Sequence, residues 1–378
     1  MFLIERLIGV GIYSLLLAVI CVLIAFTGIK CKALLAIYAV ILAVMAFFYE
    51  PYTTADLYRI IHTMKVYGSM SFSGFASEFL LTSSSPLPRI VYWILGKIGA
   101  YHLVSSISAL ICYGLFFRIM TSVAEKYSIS RANIALTLIF LMSSSIYISV
   151  VGGIRMMVAI SLIAFCFFRE TVENKRGFLN YLWYVCAALT HNIAFVVIAI
   201  RIFVAFFSSK KRIASKIKMF VIFSAVFASV AVIFNSFFVG ILDKVAYYLF
   251  EESYSDVWEY IIGVLLLCFF VVLCISFRRI KHKGFDEVIP ITTGAVLGSV
   301  IAVAFVNIFS FFYRLIGHIV PILAIPTLMI TLEYSEEKEG RFKKLSFQSI
   351  VLVFSILILA LSISRGSLSS LKFFAFEG

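Results

Sequence analysis

The chain has 378 residues, 63% of them hydrophobic and 13% charged, with a mean hydropathy of +1.08. A soluble domain is about half apolar and a quarter charged. Apolar runs near the roughly 20 residues of a bilayer-spanning helix recur from end to end here, which marks an all-α, polytopic integral membrane protein. Soluble enzymes, nucleic-acid modules and secreted disulfide scaffolds are excluded together, and the net charge of +13 is assigned to cytoplasmic loops, with no nucleic-acid partner.

The first apolar run, about Leu7 to Gly28, is too long for a signal-peptide core and has no A-x-A exit, so it is expected to span. Basic clusters then punctuate the chain at Lys30/Lys32, at Arg118, Lys126 and Arg131, at Arg169, Lys175 and Arg176, at Lys210 to Lys218, at Arg278 to Lys283, and at Lys338 to Lys344. They hold most of the 32 Lys and Arg residues. The positive-inside rule places all of them in the cytoplasm, so each interval between clusters crosses the membrane an even number of times.

Interval 33–117 holds the longest outer segment, 50–99, which Ser83-Ser84-Ser85-Pro86-Leu87-Pro88 breaks in two. Ala132–Phe168 is expected to be a hairpin with Gly152-Gly153-Ile154-Arg155 at its tip. Gly177–Ser208 would be about 48 Å long as one helix, against a hydrocarbon core of about 30 Å. Charge parity instead makes it a tight hairpin turning at Thr190-His191-Asn192. Interval 219–277 carries an outer loop, 239–258, with an acidic and aromatic character (Asp243, Tyr247, Tyr248, Glu251, Glu252, Tyr254, Asp256, Trp258), continuing into Glu259 and Tyr260. Ile289–Glu333 is expected to turn near Ser310–Arg314. One span at each end completes about twelve transmembrane helices in a single domain over 1–378.

This topology sorts the polar residues. Arg59, Lys65, Arg89, Lys97, Arg155, His191, Arg314 and His318 map to outer helix ends, where the positive-inside rule opposes them. Charge at membrane depth costs several kcal/mol unless it faces a cavity or a partner. Guanidinium groups gathered on one face suit a phosphate or pyrophosphate, which they bind through paired hydrogen bonds. The plainer readings are a snorkelling anchor for each arginine and a helix–helix hydrogen bond for each histidine. Asp56 has two readings, a base for an attacking sugar hydroxyl or an ion pair with Arg59 or a helix N-cap. The acidic, aromatic loop suits stacking on sugars and equally an interfacial aromatic belt. All the cysteines except Cys31 lie in apolar stretches, and the chain has no DxD in an outer loop, HExxH, GxSxG, Walker A or His/Cys cluster. No metal or other cofactor is expected.

Three stretches resemble the EpsG-like branch of the Wzy-type bacterial polysaccharide polymerases (O-antigen, capsule or exopolysaccharide). The first is Asp56-Leu57-Tyr58-Arg59 followed by Pro86-Leu87-Pro88-Arg89-Ile90-Val91-Tyr92. The second is Gly153-Ile154-Arg155, the apolar helix to Phe168, the basic turn Glu173-Asn174-Lys175-Arg176, and Ala187-Ala188-Leu189-Thr190-His191-Asn192. The third is Tyr313-Arg314 with Pro321 and Pro326. One departure is Ser85 before Pro86, where family members often carry a glutamate; it leaves Asp56 the better carboxylate candidate.

The resemblance implies a glycosyltransferase of GT-C-like helical architecture in the bacterial inner membrane. Such an enzyme moves a glycan from an undecaprenyl-pyrophosphate carrier onto a second carrier-linked repeat unit at the outer face. Arg155, Arg314 and Arg89, with Arg59 and His318, would neutralise the pyrophosphate, and His191 or Asp56 would serve as base. Partners would be carrier-linked oligosaccharide, membrane lipid, a chain-length regulator and a flippase. A lipid-linked oligosaccharide flippase is the first alternative, but it should show pseudo-repeated halves and charges at several depths. A membrane acyltransferase acting on cell-surface sugars is the second.

Overall fold

The computed structural model describes residues 2–51, 55–83, 85–143, 146–208, 257–280, 284–306, 308–335 and 341–364, and among these every regular element is a helix. In chain order they are α1 (Phe2–Phe26), α2 (Cys31–Phe47), α3 (Asp56–Ser69), α4 (Phe72–Phe75), a π-helical turn (Ala76–Leu80), α5 (Pro86–Lys97), α6 (Leu103–Lys126), α7 (Arg131–Ser143), α8 (Ile146–Gly152) and α9 (Ile154–Thr171). Then come α10 (Phe178–Thr190), α11 (Ile193–Ser208), α12 (Val257–Ile280), α13 (Ile289–Ala304), α14 (Phe309–Tyr313), a second π-helical turn (Arg314–Ile319), α15 (Val320–Leu323), α16 (Ile325–Tyr334) and α17 (Arg341–Ser364).

Loops that carry basic residues meet on one face. Arg131 donates to the Thr27 carbonyl. Lys126 Nζ donates to the Val172 carbonyl at 2.5 Å and pairs with Glu287. The Tyr334 hydroxyl donates to the Tyr127 carbonyl at 2.7 Å. The Glu333 carboxylate accepts from the Ser130 N–H at 2.7 Å and from Asn133 Nδ2 at 2.8 Å. Gln348 then donates from α17 to Asn133 Oδ1 at 2.8 Å. Loops far apart in sequence are thus tied together on the face that charge parity assigns to the cytoplasm. The 210–218 cluster, residues 239–256 of the acidic loop, and Lys281, Lys283 and Lys338 lie outside the described residues.

Span number departs from the expectation. The segments long and apolar enough to cross alone are Ile8–Phe26, Leu103–Lys126, Val257–Ile280 and Phe347–Ser364, 4 in all, rising to 6 if α7 with α8 and Phe311–Leu323 with α16 each count as one bent span. The other apolar helices, α2, α10, α11 and α13, have 10–17 residues, short of the roughly 20 a straight crossing needs. The expected count of about twelve is not reached among the described residues. The physical reason is that helices broken by proline or packed as short hairpins carry span-like hydropathy over less than a full span.

Two of the three expected hairpins turn where charge parity puts them, at Gly153 between α8 and α9 and at His191-Asn192 between α10 and α11. The third turns between the end of α13 at Ala304 and the start of α14 at Phe309, before Ser310–Arg314. There Phe312 N–H donates to the Ile308 carbonyl at 3.0 Å, and the Tyr260 hydroxyl donates to the Val306 carbonyl at 2.5 Å. Ser310–Arg314 therefore opens the returning helix.

Candidate functional site

The outer segment 50–99 folds into α3 and α5, packed backbone to backbone. A Cβ on Gly68 would lie 2.5 Å from the Gly96 carbonyl carbon, and one on Gly96 would lie 2.2 Å from the Met64 carbonyl oxygen. Pro86 starts α5, since a missing N–H and a fixed φ suit the first helical turn. An aromatic cluster fills the space beneath, with Phe75 stacked on Trp93 at 5.9 Å and Tyr67 against Phe79 at 4.9 Å. Arg89 Nη1 donates to the Phe79 carbonyl at 2.6 Å, in the π-helical turn. A Gly96→Val substitution is expected to force α3 and α5 apart and destabilise the protein by at least the 1–3 kcal/mol of ordinary overpacking. The melting temperature of the purified protein checks it.

Asp56 opens α3, and its N-cap is Ala55 with no side-chain cap bond, which corrects the N-cap reading. Its carboxylate pairs with Arg59 at 2.6 Å, and both side chains are well exposed. Arg59 therefore points to solvent with its own counter-charge. Ser85 is buried, and its N–H bonds the Ser83 hydroxyl at 3.0 Å.

Two broken spans position the other arginines: the first ends at Gly152, just before Arg155 in α9, and the second contains Arg314. α7 and α8 are bent by 58°, and Phe311–Leu323 meets α16 at 54°. Pro321 and Pro326 fall in the second, near the starts of α15 and α16. Proline lacks an N–H and crowds the preceding turn, which accounts for the bend and for the adjoining π register. At the first break the Tyr13 hydroxyl donates to the Met142 carbonyl at 2.6 Å, satisfying backbone that the helix no longer pairs.

The ends of these spans remote from the basic loops touch. Ser149 Oγ and His318 Nε2 are 3.3 Å apart, and the Ser149 carbonyl accepts the Gly153 N–H at 2.8 Å in the turn before Arg155. His318 is 3% exposed, with the Tyr313 ring edge-on at 5.4 Å. Arg314 begins the π-helical turn that His318 nearly ends.

Electrostatics join the outer segment to these tips. Burial pushes the Tyr67 phenol up, while Arg89 and Arg155 pull it down. Burial also pushes Tyr92 up, against Arg155, with Asp56 and Tyr67 adding to the rise. Arg155 therefore shares neighbours with Arg89 and Asp56. It has no ion-pair partner among the described residues.

His191 lies at the tip between α10 and α11, and α10 packs on α5. Its Nδ1 accepts the Ile193 N–H at 3.1 Å. A backbone N–H is always the donor, so the neutral ring carries its proton on Nε2. In that state the ring cannot take a proton without giving up its backbone bond.

One buried charge pair lies outside the expected set. Arg201, in α11, forks onto Glu170 of α9, with Nε to Oε2 at 2.7 Å and Nη2 on Oε1. The Tyr184 hydroxyl of α10 joins at 3.4 Å, and Arg201 lies over the Phe167 ring at 5.6 Å. The sequence signal was an arginine inside the apolar run from Ile193 to Phe207.

A family model described as the EpsG family matches residues 33–376. The chain belongs to the EpsG family. Among curated proteins and among solved structures, no match is found. Family membership and the apolar helices together give a membrane protein of polysaccharide biosynthesis, with polymerase-type, glycosyltransferase-type function.

Proposed function

We propose that this EpsG-family protein is a polysaccharide polymerase of the bacterial inner membrane, built on a GT-C-like plan. It joins repeat units carried on undecaprenyl pyrophosphate, with a flippase supplying them and a chain-length regulator beside it. One observation carries the reading: two broken spans are bonded at Ser149 and His318, the first leads through Gly153 to Arg155 at the start of α9, the second carries Arg314, and Arg155 shares Tyr67 with Arg89 as an electrostatic neighbour. Discontinuous helices at membrane depth recur at the binding sites of membrane transport proteins. Gathered guanidinium groups suit a leaving pyrophosphate, to which they bond in pairs.

In this scheme Arg155 and Arg314 hold the departing pyrophosphate, while Arg89 braces the outer segment through Phe79 and adds positive potential. His318 sets the spacing of the two tips through Ser149. Asp56, held by Arg59, takes the acceptor proton, because His191 has its only unprotonated nitrogen committed to backbone. Purified protein in proteoliposomes with carrier-linked repeat units should yield a ladder of longer glycans on the carrier. Translocation of the repeat units with no extension would make the protein a flippase and remove the proposal.

His191→Asn separates the roles left to that residue. Asparagine caps a helix start with its side-chain oxygen, so the turn and the protein level should be kept, while the Nε2 donor is lost. Chain extension is expected to fall about tenfold, the loss of one hydrogen bond to a charged group. Unchanged extension would leave His191 as a capping residue alone.

A further inference from the structure

We propose that the Tyr92 hydroxyl is a ligand donor of this site, giving its hydrogen bond to a phosphate oxygen of a pyrophosphate held by Arg155. The inference rests on the pyrophosphate reading above and adds a residue to it. Tyr92 sits on α5 one residue before Trp93, whose stacking on Phe75 and whose bond from Nε1 to the Met70 carbonyl at 3.4 Å fix that face of the helix. Four residues further on, Gly96 presses on the α3 backbone, so α5 cannot rotate to give Tyr92 another environment.

The ring is 4% exposed, and its hydroxyl has no hydrogen-bond partner among the described residues. Buried polar groups are nearly always bonded, and an orphaned one needs an explanation. Its surroundings supply one. Arg155 is within electrostatic reach of the phenol, and the Asp56 carboxylate, also within reach, is committed to Arg59. The phenol O–H can donate and the guanidinium can only donate, so a phosphate oxygen can accept from both.

Tyr38 and Tyr113 give the contrast. Their hydroxyls are equally unpartnered and buried, but their electrostatic neighbours are tyrosines and cysteines within the helical core, with no arginine. Phenylalanine at any of the three positions removes an unbonded buried hydroxyl and keeps the ring, so each variant should melt at or above the wild-type temperature. Only Tyr92→Phe should alter binding.

The experiment measures melting temperature and affinity of the detergent-purified full chain for inorganic pyrophosphate and for farnesyl pyrophosphate, with farnesol as the uncharged control. Tyr92→Phe is expected to bind both pyrophosphates about tenfold more weakly and to bind farnesol as the wild type does. Tyr38→Phe and Tyr113→Phe should bind all three as the wild type does. A loss confined to farnesyl pyrophosphate assigns the bond to a lipid headgroup, and a loss for both probes assigns it to the anion itself; either supports the inference. Wild-type affinity in Tyr92→Phe, with weakened affinity in Arg155→Gln, overturns the Tyr92 assignment and leaves the pyrophosphate site standing. Wild-type affinity in both variants overturns the site as well.

Discussion

Arg155→Lys and Arg314→Lys are each expected to lose most polymer while the protein stays at a normal level in the membrane. Lysine keeps the charge at both positions, so long-range attraction for a carrier pyrophosphate is retained. What it loses is the planar fork that holds two phosphate oxygens at once. One hydrogen bond to a charged group contributes about 1.5–3 kcal/mol, which converts to roughly a tenfold to hundredfold drop in extension rate. The two positions should behave alike, since Ser149 bonds His318 in the turn of Arg314 and accepts the Gly153 N–H in the turn before Arg155. Arg176→Lys, on the exposed turn after α9, should leave polymer length and yield unchanged. Gel profiles of surface polysaccharide, with protein measured in isolated membranes, check all three. Full-length polymer from both site variants would make these arginines membrane anchors.

The largest effect on folding is expected at the Glu170–Arg201 pair. Glu170 is 3% exposed, Arg201 meets both of its oxygens, and the helices they join, α9 and α11, hold α10 between them through Tyr184. Removing one partner strands the other charge in an apolar setting, at about 3–5 kcal/mol. A whole domain has about 5–15 kcal/mol to lose. Glu170→Ala and Arg201→Ala should therefore each deplete folded protein severely, read as the monodisperse peak of a fluorescently tagged protein after extraction. Glu170→Leu combined with Arg201→Met fills similar space with no charge, and buried pairs replaced in this way are often as stable as before. The double variant is accordingly expected to recover most of the peak. Singles that extract like the wild type would show that water reaches the pair.

Sequence alone determined the properties that sum along the chain. Hydropathy gave helices in a membrane, and the basic clusters grouped loops that the structure gathers through Arg131, Lys126 and Glu333 on one face. Glycine, histidine and asparagine between apolar runs marked the tips at Gly153 and at His191-Asn192. These signals are local: each residue contributes its transfer energy or charge with little regard to distant neighbours.

Tertiary structure decided the number of full-length spans and the partner of each polar group. Hydropathy does not register a bend of 54° or 58°, so broken and short helices read like complete crossings. Eight outer cations and histidines looked alike in the sequence, yet Arg59 turned to solvent with Asp56, Arg89 closed a carbonyl, and His191 committed Nδ1 to backbone. Ser149 gave no signal of its own, because its meaning comes from His318, 169 positions away. A hydrogen bond depends on angles and ångströms between elements, and those are fixed only when the helices pack.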